Sequence, residues 1–275
     1  MGRKGRKRKR NKGGAGGQKG KGGGNSLCVV DDSQAVHFAN FFGALSAEKD
    51  NVGNVGKGTK KKRRVIANPN PRWIGPYCDR QNILVVGDGD LSFSLSLVLA
   101  TGGSNVTATT FDTRSELFEK YASAPSTVRS LRQAGATVLH GIDATRLDEF
   151  DWEGEKFDRI VFNFPHIGGA TKEDLLLNQA LLREFFSSST ELLNGPVAEV
   201  HVSLRTTMFY NSWDVTKQGM AAGYKLHKTK PFRADLFLRY ENQRTKGDHQ
   251  GHLVREAPST EGAKTYCFRA NPEED

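Results

Sequence analysis

From Trp73 onward, short apolar runs alternate with segments whose apolar residues recur every three or four positions, the pattern of a parallel sheet covered by helices. The runs predict strands at 82–86, 106–111, 137–140, 159–164, 198–204, 224–229 and 265–269. The periodic segments predict helices at 91–99, 116–121, 127–133, 175–193 and 213–222. Strand and helix alternate until the end, where the last two strands are able to form a hairpin. The expectation is an α/β domain over 73–275 with a mostly parallel seven-stranded sheet and helices on both faces. No internal repeat is apparent.

Residues 1–72 have a different composition. The first 24 positions are almost entirely Gly, Lys and Arg, which bury too little apolar surface to offset the entropy of ordering, so this stretch is expected to be disordered. Val36, Phe38, Phe41, Phe42 and Leu45 are compatible with a short amphipathic helix within 33–49. A second basic run follows at Lys60, Lys61, Lys62, Arg63 and Arg64, suited to phosphate contact or nuclear import.

Charge sharpens the division. Residues 1–72 hold 18 Lys and Arg against four acids, whereas the whole chain carries +9, so the body is mildly acidic. A cationic arm on an acidic body suits a protein that finds a polyanion, because released counterions give affinity without sequence preference. The bland alternative is a solubilising tail. A chain of 275 residues accommodates one substantial domain plus such an arm. Cys28, Cys78 and Cys267 lie far apart without metal-ligand spacing, so neither a metal site nor a disulfide framework is expected. No apolar run is long enough to cross a bilayer and no signal-peptide core is present, which predicts a soluble, intracellular protein without a membrane partner.

The candidate chemistry lies at strand ends. The strand Ile-Leu-Val-Val runs into Gly87, Asp88, Gly89, Asp90, Leu91 and Ser92, placing a glycine turn where open α/β sheets bind ligands. A dinucleotide fingerprint would have a third glycine at Ser92, and its pyrophosphate would be repelled by Asp88 and Asp90. S-adenosylmethionine carries an ammonium and a sulfonium beside one carboxylate, which an acidic loop with free backbone N–H groups accommodates. Asp112, closing the second strand, is the candidate ribose ligand, and Asp143, after the third, a candidate acceptor for the adenine amine. Acids at strand ends also cap helices, so each has a structural alternative.

The fourth strand ends in Asn163, Phe164, Pro165 and His166, similar to the Asn-Pro-Pro-aromatic element by which many methyltransferases hold a planar nitrogen beside the methyl donor. Asn163 would receive or orient the target hydrogen, Phe164 would stack near the ring, and His166 would polarise a base carbonyl or accept a proton. The alternative is a buried strand terminus with a surface histidine. Arg205, just past the fifth strand, and Arg233, Tyr240, Arg244 and Lys246, in the long stretch 231–262, are candidate RNA contacts.

Four segments together, GDGDLSFSLSL from Gly87, TTFDT from Thr109, HGIDAT from His140 and FNFPHIGG from Phe162, resemble the eukaryotic and plant family of large-subunit (25S/28S) ribosomal RNA uridine-N3 methyltransferases. The resemblance covers about residues 80–250; the stretch 237–245 matches the family pattern only in part. It implies a class I, Rossmann-like methyltransferase fold, S-adenosylmethionine as donor and uracil N3 as target. It also implies ribosomal RNA or a pre-ribosomal particle as partner, and a nuclear, nucleolar address. The competing readings are a methyltransferase for another RNA base nitrogen and a catalytically silent RNA-binding assembly factor.

Overall fold

The structure, a computed structural model, describes residues 70–243 and 257–271. The expected helix within 33–49, the basic run Lys60 to Arg64, and Arg244 and Lys246 lie outside the described residues.

A small antiparallel hairpin, β1 (Trp73–Ile74) and β2 (Tyr77–Cys78), precedes the main sheet. The chain then alternates through β3 (Ile83–Val86), α1 (Ser92–Thr101), β4 (Val106–Thr110), α2 (Arg114–Lys120), α3 (Ala124–Gln133) and β5 (Thr137–His140). A 3-10 segment, Ala144–Glu149, leads to β6 (Arg159–Asn163), α4 (Lys172–Ser189) and β7 (Glu199–Leu204). The short α5 (Met208–Asn211), α6 (Val215–Ala221), β8 (Tyr224–Pro231) and β9 (Lys264–Ala270) complete it.

The seven strands lie in the order β5-β4-β3-β6-β7-β9-β8, all parallel except β9, which runs antiparallel between β7 and β8. This is the seven-stranded class I methyltransferase sheet. The chain leaves β3 toward β4 and β5 and later returns to its other side with β6. Such a reversal opens a crevice at the carboxyl ends of the two central strands. Because Val86 pairs with Phe162, the residues that follow them, Gly87 and Asn163, emerge side by side at that crevice.

Sheet alternation sorts the core onto two faces. Leu84, Val86, Ile160, Phe162, Val200 and Val202 pack against Leu182, Phe185 and Phe186 of α4 and against Trp213. Ile83, Val85 and Val161 pack the other way, on Phe93 and Leu97 of α1, with Tyr77 and Phe237 outside them. Covered on both sides, α1 is apolar nearly all round, and its buried Ser92, Ser94 and Ser96 each have hydrogen-bond partners. Reciprocal caps start α2 (Thr113 with Glu116) and α4 (Thr171 with Asp174).

One buried charge anchors the far end of the sheet. The Glu199 carboxylate, at the start of β7, is 3.1 Å from His201 Nε2, 3.1 Å from Lys228 Nζ and 3.0 Å from Arg269. Burial would raise its pKa, but the bonds from His201 and Lys228 and the Arg159 charge hold it well below the usual carboxylate range.

Every expected strand and helix of the domain is present. Helix α4 starts three residues early, at Lys172, and ends through a 3-10 turn, Thr190–Leu192, while β8 extends to Pro231. The β1-β2 hairpin and α5 were not expected; at two and four residues they are too short to carry periodicity.

Candidate active site

The glycine loop is shaped by close approach. Gly87 has φ +60°, and a Cβ there would stand 2.9 Å from the Phe162 ring, so both backbone angle and space require glycine. The loop leaves β3 and is tied to β4: Gly87 N donates to Thr109 Oγ1 at 3.3 Å and Asp88 N to the Thr109 carbonyl at 2.9 Å.

The two acids of the loop have different surroundings. Asp88 turns inward, accepting from Ser94 N at 2.8 Å and Ser94 Oγ at 2.6 Å at the start of α1. Burial, with the neighbouring Asp90 charge adding to it, pushes the Asp88 carboxyl up to about 7. Its bonding is that of a helix-anchoring residue rather than one aimed into the crevice. Asp90 accepts from Ser92 N at 3.0 Å and, through its second oxygen, from Gln243 Nε2 at 2.9 Å. Burial raises its pKa as well.

The segment that ends at Gln243 lies across the loop. A Cβ on Gly89 would meet Gln243 Cβ at 3.1 Å, and Ser92 Oγ meets the Glu241 backbone. Tyr240, expected at an RNA surface, is turned inward, edge-on to Phe93 at 5.6 Å, because Phe93 and Phe237 offer it an apolar slot. Arg233 is exposed and paired with Asp235.

Asp112 follows β4, ion-paired with Lys120, and its carbonyl accepts from Gly141 N at 3.1 Å. Asp143 caps the 3-10 segment, accepting from Thr145 N at 2.9 Å and Thr145 Oγ1 at 2.8 Å. The structural alternative is therefore realised at Asp143, through one of its two oxygens.

Asn163 is the most unusual polar residue of the crevice. Its side-chain Nδ2 and Oδ1 are both buried, and neither has a hydrogen-bond partner among the described residues. An unsatisfied buried amide costs about 1–3 kcal/mol, so its retention at a strand end facing a crevice points to a ligand. Phe164 follows with φ +52°, a conformation L residues adopt at a cost, and its ring packs edge-on against Phe232 at 5.0 Å.

The rest of this loop is pinned. Gly168 N donates to His166 Nδ1 at 2.6 Å, and Ile167 N donates to Asn178 Oδ1 at 3.1 Å. Asn178, fully buried on α4, donates in turn to the Asp174 carbonyl at 2.7 Å. His166 sits among Phe209, Tyr210 and Trp213 with ring centroids at 6.2, 6.0 and 5.4 Å. Burial lowers its pKa, against Asp174, which raises it, so the ring is neutral near pH 7. With Nδ1 accepting, the proton of the neutral ring is on Nε2.

Register thus sets Gly87 and Asn163 side by side, with Gly89 and Asp90 following in one loop and Phe164 and His166 in the other. Sequence reasoning missed the α5 aromatics, Asn178 and Gln243. Only Asn178 left a trace: an amide at a position where the α4 pattern wants an apolar side chain.

The sequence profile described as rRNA (uridine-N3-)-methyltransferase BTM5-like matches residues 84–244. The chain belongs to that family. The match runs from β3 to the segment over the glycine loop, so this uridine-N3 methyltransferase family member carries both the Gly87 and the Asn163 loops inside it. Among curated relatives, heavy metal-associated isoprenylated plant protein 41 of Arabidopsis thaliana is 34% identical over 181 residues, 64% of this chain. The chain spans only 35% of that relative's length. An uncharacterized protein of the same plant is 33% identical over 185 residues, 64% of this chain and 88% of its own. The 25S rRNA (uridine(2634)-N(3))-methyltransferase of Saccharomyces cerevisiae is 22% identical, over 69% of this chain and 74% of its own. Among solved structures, TrmN from Thermus thermophilus aligns with a TM-score of 0.43 and 16% identity, over 69% of this chain and 44% of that one.

Proposed function

We propose that this chain methylates N3 of a uridine in ribosomal RNA with S-adenosylmethionine as donor. The observation that carries the reading is the buried, unpartnered amide of Asn163, followed three residues on by a His166 ring whose Nδ1 is held by Gly168 N. Membership of the family supports the target.

The crevice residues fit the donor. Gly87 and Gly89 let backbone approach it, Asp90 offers a carboxylate to its ammonium, Asp112 would hold the ribose hydroxyls, and Asp143 keeps one oxygen for the adenine amine. Ser92, at the start of α1, steadies the loop, and Asp88 anchors it from beneath. When bound, S-adenosylmethionine supplies a methyl group on a good leaving group.

Uracil N3 lies between two carbonyls, and its in-plane lone pair becomes available only when its proton leaves. A group on N3 itself would obstruct the methyl. The residues best serve from the flanks: Asn163 Nδ2 donates to one carbonyl oxygen and His166 Nε2–H to the other, and together they hold the charge of the deprotonated ring. The N3 proton then leaves to water. Adenine has no carbonyl and guanine one, so two fixed donors select uracil. Phe164 lies beside the ring plane.

Localisation to the nucleus and nucleolus follows from this substrate, with free rRNA or a pre-ribosomal particle as partner. The test is labelled methyl transfer to rRNA lacking its modifications, read by nucleoside mass spectrometry. Labelled 3-methyluridine that disappears with Asp112→Ala supports the reading; label in another nucleoside, or none despite donor binding, overturns it.

A further inference from the structure

Past β7 the chain enters α5, whose Phe209 faces His166. The residue before it, Met208, is 91% exposed, and Ile167, the residue after His166, is 42% exposed. Exposed apolar side chains are ordinary when scattered. Here two of them flank the same histidine-aromatic contact at the mouth of the crevice.

Cations adjoin them. Arg205, directly after β7, has its guanidinium 5.9 Å from the centroid of the Tyr210 ring and donates to the Ser259 carbonyl at 2.8 Å, which fixes its place. Lys264, at the start of β9, pairs in register with Leu204, the neighbour of Arg205. It is exposed and has no ion pair among the described residues. Since Asn163 pairs with Ser203 and Ser203 with Thr265, Lys264 lies two strand spacings, about 10 Å, from the Asn163 strand.

We propose that this rim, Met208 and Ile167 with Arg205 and Lys264, holds the unpaired RNA strand flanking the target uridine. The proposal rests on the uridine-N3 reading of the site. N3 lies on the edge that pairs in a duplex, so the reacting base must be out of pairing, and its neighbours then present bare faces. A polarizable thioether and a branched alkyl chain cover such faces, and adjacent cations take the phosphates. A duplex-binding surface would be shaped for backbones alone, without exposed apolar side chains. The occupant is therefore single-stranded RNA rather than duplex or a protein partner.

The test uses the full chain and a labelled RNA hairpin with uridines in its loop, against the same sequence annealed to its complement. Binding is followed by fluorescence anisotropy over a range of salt, because at high salt the ionic contribution of the basic arm is suppressed. The hairpin is expected to bind at least tenfold tighter than the duplex. Met208→Ser weakens loop binding about tenfold, and Lys264→Ala lowers the salt slope by ~0.7, the increment of one phosphate contact on a single strand. Unchanged S-adenosylmethionine binding by calorimetry shows that both variants are folded. Equal binding of duplex and loop, or variants that bind RNA like the parent, overturns the proposal and leaves the rim to a protein partner. Binding is read without methyl transfer. A chain that binds as stated yet forms no 3-methyluridine overturns the uridine reading alone.

Discussion

Gly168 donates its backbone N–H to Nδ1 of His166 at 2.6 Å, and that bond determines which ring nitrogen carries the proton. A backbone N–H can only donate, so Nδ1 must accept and Nε2 must bear hydrogen. Protonating the ring would set two N–H groups against each other. His166→Ala is expected to lower kcat by roughly 10²-fold or more with donor affinity unchanged. Burial depresses the imidazole pKa, so activity should fall only below the ordinary histidine range as pH drops. A pH–rate profile of kcat checks this, and an acid limb at or above that range contradicts it.

Asn163 should be sensitive to chemistry rather than size. Asn163→Asp keeps the shape but replaces the Nδ2 donor with a negative oxygen beside a carbonyl and a developing anion. Turnover is expected to fall about 10²–10³-fold, as when one preorganised donor is lost. Single-turnover rates at saturating donor, with donor binding measured separately, make the comparison. Because the site is buried and offers a carboxylate no partner among the described residues, the same change should also lower thermal stability above the carboxylate range, so rates are compared per folded protein.

Asp88 predicts a pH-dependent stability. Its folded pKa of about 7 is above its ordinary value of 3.8, so the folded state binds the proton more tightly. Its contribution is complete below the ordinary value and is lost as pH rises through about 7. Asp88→Asn, which keeps an acceptor for Ser94, should remove that dependence and gain on the parent above neutrality. Thermal melts across this range decide it; parallel curves for parent and variant would rule it out.

Glu199 predicts the opposite dependence and a different kind of loss. Its pKa is depressed, so its stabilisation is present above the ordinary carboxylate value and is lost as pH falls toward the folded one. Glu199→Ala leaves the buried His201 and the partly exposed Lys228 and Arg269 without their shared partner, a loss of about 1–3 kcal/mol. Denaturant unfolding is the measurement. Donor affinity of the folded fraction should not change, since Glu199 starts β7 and the crevice lies beyond its other end.

The sheet was legible because burial on both faces leaves unbroken apolar strands such as Ile83 to Val86, and because helices like α3 carry an apolar stripe. The glycine loop and Asn163 could be located because their backbone constraints restrict residue type. What stayed hidden was pairing at long range. Gln243 reaches Asp90 across 153 positions, and Tyr240 finds its slot between rings that sequence does not bring together. Asp88 and Asp90 look alike as letters; only folding, which turns one inward onto Ser94, separates them. Helix α5 carries two of the three aromatics around His166, Phe209 and Tyr210, in a single turn, below the length at which any period can be read.

The left-handed backbone of Phe164 bears on how this protein could change over generations or in a screen. Glycine would relieve about 1–2 kcal/mol of strain there but would give up the packing of the ring on Phe232, so the backbone angle is held at the expense of strain and kept by a side chain that also packs. Removing the ring would also discard the side chain proposed to lie beside the target base. Variants recovered under a demand for methylation should therefore retain a side chain at this position and gain heat tolerance elsewhere, whereas without that demand asparagine, which tolerates this backbone region, becomes acceptable there.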